Sequence, residues 1–110
     1  MQNVSILAPA ENKLKKIVTF VPHSHIEQVR LALFSAGAGQ IGNYDSCSYN
    51  TEGYGTFRGN EETNPFVGEK GTIHHEPEVR VETIFPSYKE SQIIQALLKA
   101  HPYEEVAYDI

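Results

Sequence analysis

Cysteine is nearly absent from this 110-residue chain, where Cys47 stands alone. An internal disulfide is therefore excluded, and a reducing compartment fits. Basic side chains are also scarce, with 9 Lys and Arg against 14 Asp and Glu and a formal charge of -5. Proteins that grip phosphate backbones carry a basic stripe that displaces counterions, and the sequence has none. Nucleic acid and anionic membrane surfaces are thereby set aside as partners. No apolar run approaches the roughly 18 residues that a membrane helix needs. The short apolar run Val4–Ala10 follows no basic segment and is too short for a secretory leader. These absences lead to the expectation of a cytoplasmic protein with no membrane segment.

What is present suits one domain around one modest core, since domains commonly run to about 100–150 residues. So short a chain buries only about two-thirds of its unfolded surface, and self-association would add to that burial. Set against itself at a shift of 64 residues, the sequence repeats. Thr19 meets Thr83, Pro22 meets Pro86, Gln28 meets Gln92, Ala32-Leu33 meets Ala96-Leu97 and Ala36 meets Ala100. Beyond different connecting residues, Tyr44-Asp45 meets Tyr108-Asp109, with no gap.

Each half reads the same way. Ile17–Val21 and Val79–Phe85 are β-branched and aromatic runs closed by a proline, which cannot donate to a sheet ladder. Ser24 with Glu27, and Ser87 with Glu90, fit the capping-box spacing at a helix start. Apolar stripes follow at three- and four-residue spacing, Ile26, Val29 and Leu33, then Ile93, Leu97 and Ala100. Gly37 ends the first helix and His101-Pro102 the second. Closing strands are expected around Tyr44–Tyr49, which places Cys47 mid-strand, and around Val106–Ile110. Two β-α-β halves make a ferredoxin-like β-α-β-β-α-β domain of the α+β class, an antiparallel sheet with two helices on one face. The expected domain spans 15–110, preceded by a flexible N-terminal arm, 1–14.

Residues 50–78 break the repeat. Tyr54–Phe57 either extend the second strand or form a hairpin arm, and Arg58–Gly68 read as a loop long enough to suggest function. Gly37-Ala38-Gly39-Gln40-Ile41-Gly42 has the glycine spacing of dinucleotide-binding turns but follows a helix instead of preceding one, so it reads as a helix cap and connection. The histidines give no zinc-site spacing. His23 and His25 flank a helix start, while His74 and His75, adjacent on extended chain, point to opposite faces. Cys47 has no neighbouring base or helix N-terminus that would make it a nucleophile. His101-Pro102-Tyr103-Glu104-Glu105 is the densest group of functional side chains.

In order along the chain, Gly37–Tyr44, Gly53–Arg58, Asn64–Glu69 and His101–Asp109 resemble four motifs of one family. This is the domain inserted in many bacterial Nif-three-like proteins, the dinuclear-metal-centre family, and the likeness runs over about residues 14–110. It implies a fold similar to PII signalling proteins and CutA, whose trimers the assembly would resemble. CutA proteins share a similar His-Pro-Tyr-Glu turn. The resemblance places the family's metal ligands in lobes flanking the insert, lobes without a counterpart here, so no dinuclear centre and no cofactor is expected.

Two functions of different class follow. The first is a non-enzymatic PII-like regulatory or small-ligand-binding module. It would use Tyr49, Tyr54, Arg58, His101, Tyr103 and Glu104 for a small anionic or planar ligand, with Arg58 for an anionic group and aromatics for a planar one. A protein partner could use the 50–78 loop instead. The second is a metal-binding or metal-dependent hydrolase-related protein, which needs His23, His25, His101 and Glu104 to converge across a subunit boundary. In either case a homo-oligomer is expected, a trimer ahead of a dimer, because the helices leave one sheet face open.

Overall fold

The computed structural model describes residues 13–110. Four strands are named here in chain order: β1 Leu14–Pro22, β2 Tyr49–Phe57, β3 His74–Pro86 and β4 Tyr108–Asp109. Helix α1 is Ile26–Ser35 and α2 is Glu90–Ala100. The sheet order is β2-β3-β1-β4, antiparallel throughout. This is the expected β-α-β-β-α-β arrangement. Of the expected arm, residues 1–12 lie outside the described residues, and Leu14 opens β1.

Alternation along the strands decides the layers. Ile17 and Val21 of β1 and Val79, Val81 and Phe85 of β3 form the core with Val29 and Leu33 of α1 and Ile93 and Leu97 of α2. The other parity, with Phe20, Glu78, Arg80 and Glu82, therefore faces away from the helices. Two threonines are buried among the core positions, and each hydroxyl finds a carbonyl, as a buried hydroxyl must. Thr19 donates to the Ala107 carbonyl at 3.0 Å and Thr83 to that of Cys47 at 2.7 Å.

Those two bonds revise the internal repeat. They make Cys47 the counterpart of Ala107, an offset of 60 instead of 64. Tyr44-Asp45 is thus not the structural equivalent of Tyr108-Asp109, and the first half carries four extra residues between helix and strand. Gly39, Gly42 and Ser46 have φ of 88°, 59° and 59°, which breaks any ladder there. The Gly39 N–H donates to the Ile84 carbonyl at 2.8 Å and the Cys47 N–H to Gly39 at 2.9 Å, so this excursion is pinned to β3. β2 starts only at Tyr49, and Cys47 precedes it instead of lying within it.

The capping boxes do not form. Ser24 and Ser87 fall in single 3₁₀ turns, His23–His25 and Ser87–Lys89, and neither helix start has a side-chain cap. Ser24 instead bonds the His25 ring at 2.8 Å, and Glu27 pairs with Arg30 at 2.6 Å. Glu90 pairs with Lys15 at 2.6 Å. β4 is shorter than expected. β3 is longer, beginning at His74.

The extra length of β3 shapes the rest of the molecule. β1 pairs with β3 only as far as Pro22 opposite Glu78, whereas β2 follows β3 on to Phe57 opposite His74. Beyond Glu78 the four-stranded sheet narrows to a two-stranded ribbon. Pro77 is the first residue past that border, where its missing N–H removes no bond to a strand that has already ended. Tyr54–Phe57 therefore both extend the second strand and form an arm.

Candidate ligand cavity

The ribbon, the 58–73 loop and the turn after α2 surround a cavity of about 610 Å³. That volume lies within the usual range for small-molecule sites. Phe20 from the open sheet face, Phe57 from β2, Phe66 from the loop and Tyr103 from the turn give it an aromatic lining, with Pro65 beside them and Tyr54 at the margin, its ring stacked on His75. Arg58, Glu78, Glu104 and Glu105 supply the charges.

The loop is folded back over this space. The Asn64 N–H donates to Glu104 Oε1 at 2.7 Å, tying loop to turn. Phe66 meets the His25 ring edge-on at 5.4 Å and lies 6.4 Å from Tyr103, and Phe57 lies 5.8 Å from Tyr103. Such ring pairs add directional packing to ordinary burial. Gly68, at φ 85°, passes so close to His74 that a Cβ would stand 2.9 Å from it.

His101 and Tyr103 are set by one hydrogen-bond chain. His101 is buried, Nε2 donates to the Phe20 carbonyl at 2.7 Å, and Nδ1 accepts the Tyr103 N–H at 3.2 Å. With both nitrogens engaged in this way the ring is the neutral Nε2–H tautomer. Burial holds its pKa below the ordinary 6.5, against the opposing effects of the Phe20 bond and the Glu78 charge. Tyr103 then donates its phenol to Glu78 Oε2 at 2.7 Å. Burial, the bond to Glu78 and the charges of Glu78 and Glu76 push that phenol well above its ordinary range. It stays protonated, a donor and not a base.

Four of the six expected site residues, Tyr54, Arg58, Tyr103 and Glu104, line the cavity. Tyr49 does not. It stands exposed at the far end of β2, opposite Glu82. His101 lies behind Tyr103 as its support. Glu78 was not among the expected residues, although it is the buried charge at the centre. Its position depends on strand register and on Gly55 across the ladder, neither of which composition or spacing reveals. The histidines disperse. His23 bonds Glu52 at 2.6 Å, His74 bonds Glu76 at 2.7 Å, and His75 stacks on Tyr54 at 5.7 Å. Within one chain, and among the described residues, no three His, Cys, Asp or Glu side chains are grouped to hold a metal ion.

Known proteins share this architecture. No protein-family model matches the chain. A GTP cyclohydrolase 1 type 2 homolog of Halalkalibacterium halodurans is 46% identical across the whole chain, and its Bacillus subtilis counterpart is 47% identical. The chain spans 30% of the length of each. Among solved structures, a Bacillus cereus protein related to NIF3 superposes with TM-score 0.73 at 48% identity, over 89% of this chain and 25% of that one. The chain is similar over nearly its whole length to one stretch of these longer NIF3-related proteins. It also matches the PII-like protein CutA from Nostoc with TM-score 0.60 at 19% identity, covering 86% of this chain and 76% of that one, which shows the fold. Among the described residues no helix is long and apolar enough to cross a membrane.

Proposed function

We propose that the chain is a non-enzymatic small-ligand-binding module whose ligand is planar and enters the cavity between the ribbon and the 101–107 turn. The observation that carries this reading is the aromatic lining closed by a tied-down loop, with Asn64 held on Glu104 and Phe66 held on His25 and Tyr103. Rings on several sides suit a flat ligand. The polar groups within reach support binding over catalysis, because Tyr103 is held protonated and His101 has no free nitrogen. The activity named for the curated relatives belongs, in this reading, to parts of those longer proteins that the chain does not span.

Self-association accompanies the module, a trimer ahead of a dimer, through the sheet face that the helices leave open. Exposed Tyr49 lies on that face, and its aromatic area would serve the contact between copies. The loop remains available to a protein partner in the same assembly.

Thermal-shift screening with flat heterocycles, nucleobases included, tests the binding reading. A ligand at about 100 times its Kd stabilises by about 2.7 kcal/mol. A rise in Tm is expected, and both Phe57→Ala and Phe66→Ala should remove it. A screen in which no flat compound raises Tm overturns the proposal.

A further inference from the structure

Glu78 is 8% exposed and lines the cavity. Only one of its carboxylate oxygens is engaged among the described residues, Oε2 with the Tyr103 phenol, and Oε1 has no hydrogen-bond partner there. A carboxylate so withdrawn from water is costly unless its lone pairs are met. Among the described residues no cation meets them. Arg80, the next side chain on the same face of β3, turns its guanidinium to Glu82 at 2.9 Å and over the Phe20 ring at 5.8 Å. Exposed Arg58, across the cavity, forms no ion pair among the described residues.

The backbone opposite is shaped around the free oxygen. A Cβ on Gly55 would stand 2.5 Å from Glu78 Oε1, so a side chain there would occupy the oxygen's place. Gly53, directly across the ladder from Glu78, has open space beside it. A second hollow of about 200 Å³, lined by Gly53, Phe20 and Arg80, adjoins Glu78 from that side. The charges of the main cavity are one guanidinium against three carboxylates, Glu78, Glu104 and Glu105.

We infer that the ligand presents a cationic or N–H-donating edge, of the amidine, amidinium or amino-heterocycle class, to Oε1 of Glu78, with its ring between Phe57, Phe66 and Tyr103. This inference rests on the planar-ligand reading and narrows it, preferring an N–H donor over the anion that Arg58 alone would suggest. A charge-assisted pair in a site shielded from water is roughly twice as strong as a neutral one and fixes orientation. Tyr103 holds the other oxygen and so aims the free one.

The test uses three phenyl probes of similar size: benzamidine, benzyl alcohol and benzoate. Binding to the intact chain is followed by calorimetry and by tyrosine fluorescence. Benzamidine is expected to bind at least about tenfold more tightly than benzoate, with benzyl alcohol between them. Glu78→Gln, isosteric and able to keep the Tyr103 bond, should abolish the preference for benzamidine over benzoate. Should Glu78→Gln fail to fold, Gly55→Ala, which crowds Oε1 from the ribbon, should weaken benzamidine selectively. Equal binding of all three probes, or a benzamidine affinity indifferent to these substitutions, overturns the inference and leaves the planar cavity standing. Failure of all three probes to bind overturns both.

Discussion

Leu97 and His101, four residues apart, illustrate two kinds of burial. Leu97 is wholly enclosed between α2 and the sheet. Leu97→Ala should cost about 2–5 kcal/mol, read from denaturant melts, through lost transfer energy and the cavity left behind. His101 is buried as a polar strut, and its depressed pKa gives stability a pH dependence of known sign. Below the ordinary pKa of 6.5 the unfolded chain takes up a proton that the folded chain refuses. Its contribution is therefore full above that value and is lost as pH falls through the window down to the folded pKa. His101→Gln should lower stability at pH 7 by about 1–3 kcal/mol and flatten the decline on the acid side, measured by urea melts across pH. The helix core was legible from spacing alone, since Val29, Leu33, Ile93 and Leu97 all face the sheet. Glu78 was not, because a glutamate at a strand start looks solvent-facing until the register sets Gly53 and Gly55 beside it.

At the level of elements, the two halves carry the same plan and differ where the chain turns. The strand and helix order could be read from period and punctuation, and so could the end of α1 at Gly37, which has φ 118°. The capping serines misled because a 3₁₀ turn intervenes before each helix; Ser24 bonds His25 instead, and the carboxylates of Glu27 and Glu90 pair with Arg30 and Lys15. The start of β2 was missed because tyrosine and cysteine suit a strand as well as the turn they occupy, and the deciding signal is the positive φ at Gly39, Gly42 and Ser46. Gly39 bears that turn on the sheet. A Cβ there would meet Phe34 at 2.9 Å and the Cys47 nitrogen at 3.0 Å, on a backbone that side chains rarely adopt. Gly39→Ala should destabilise by more than about 1 kcal/mol, whereas Gly53→Ala, with nothing near it, should cost a few tenths at most; paired thermal melts check the difference.

Taken together, the described residues are long and flat, 58 × 26 × 18 Å, with both of their helices on one side of the sheet. Its open face carries Tyr49, exposed, beside Glu82, which Arg80 and Lys16 hold ionised below the usual carboxylate range. Light scattering at micromolar concentration is expected to return a multiple of 12.3 kDa, three copies by preference; a value of two copies removes the trimer, and one copy removes self-association altogether. The narrowing of the sheet at Glu78 also divides the chain into regions of unequal persistence. Residues Glu78–Glu82 of β3 are laced on both edges and the stretch up to Pro86 pairs with β1, while among the described residues those before Glu78 have β2 as their only strand partner. Opening the ribbon breaks that single ladder and leaves the core between helices and sheet untouched, so it belongs to the low end of the local-unfolding scale. In hydrogen–deuterium exchange the amides of Tyr54–Phe57 should trade protons far sooner than those of Val79–Phe85. The cavity would then breathe on its own clock, admitting and releasing its guest while the rest of the protein stays folded.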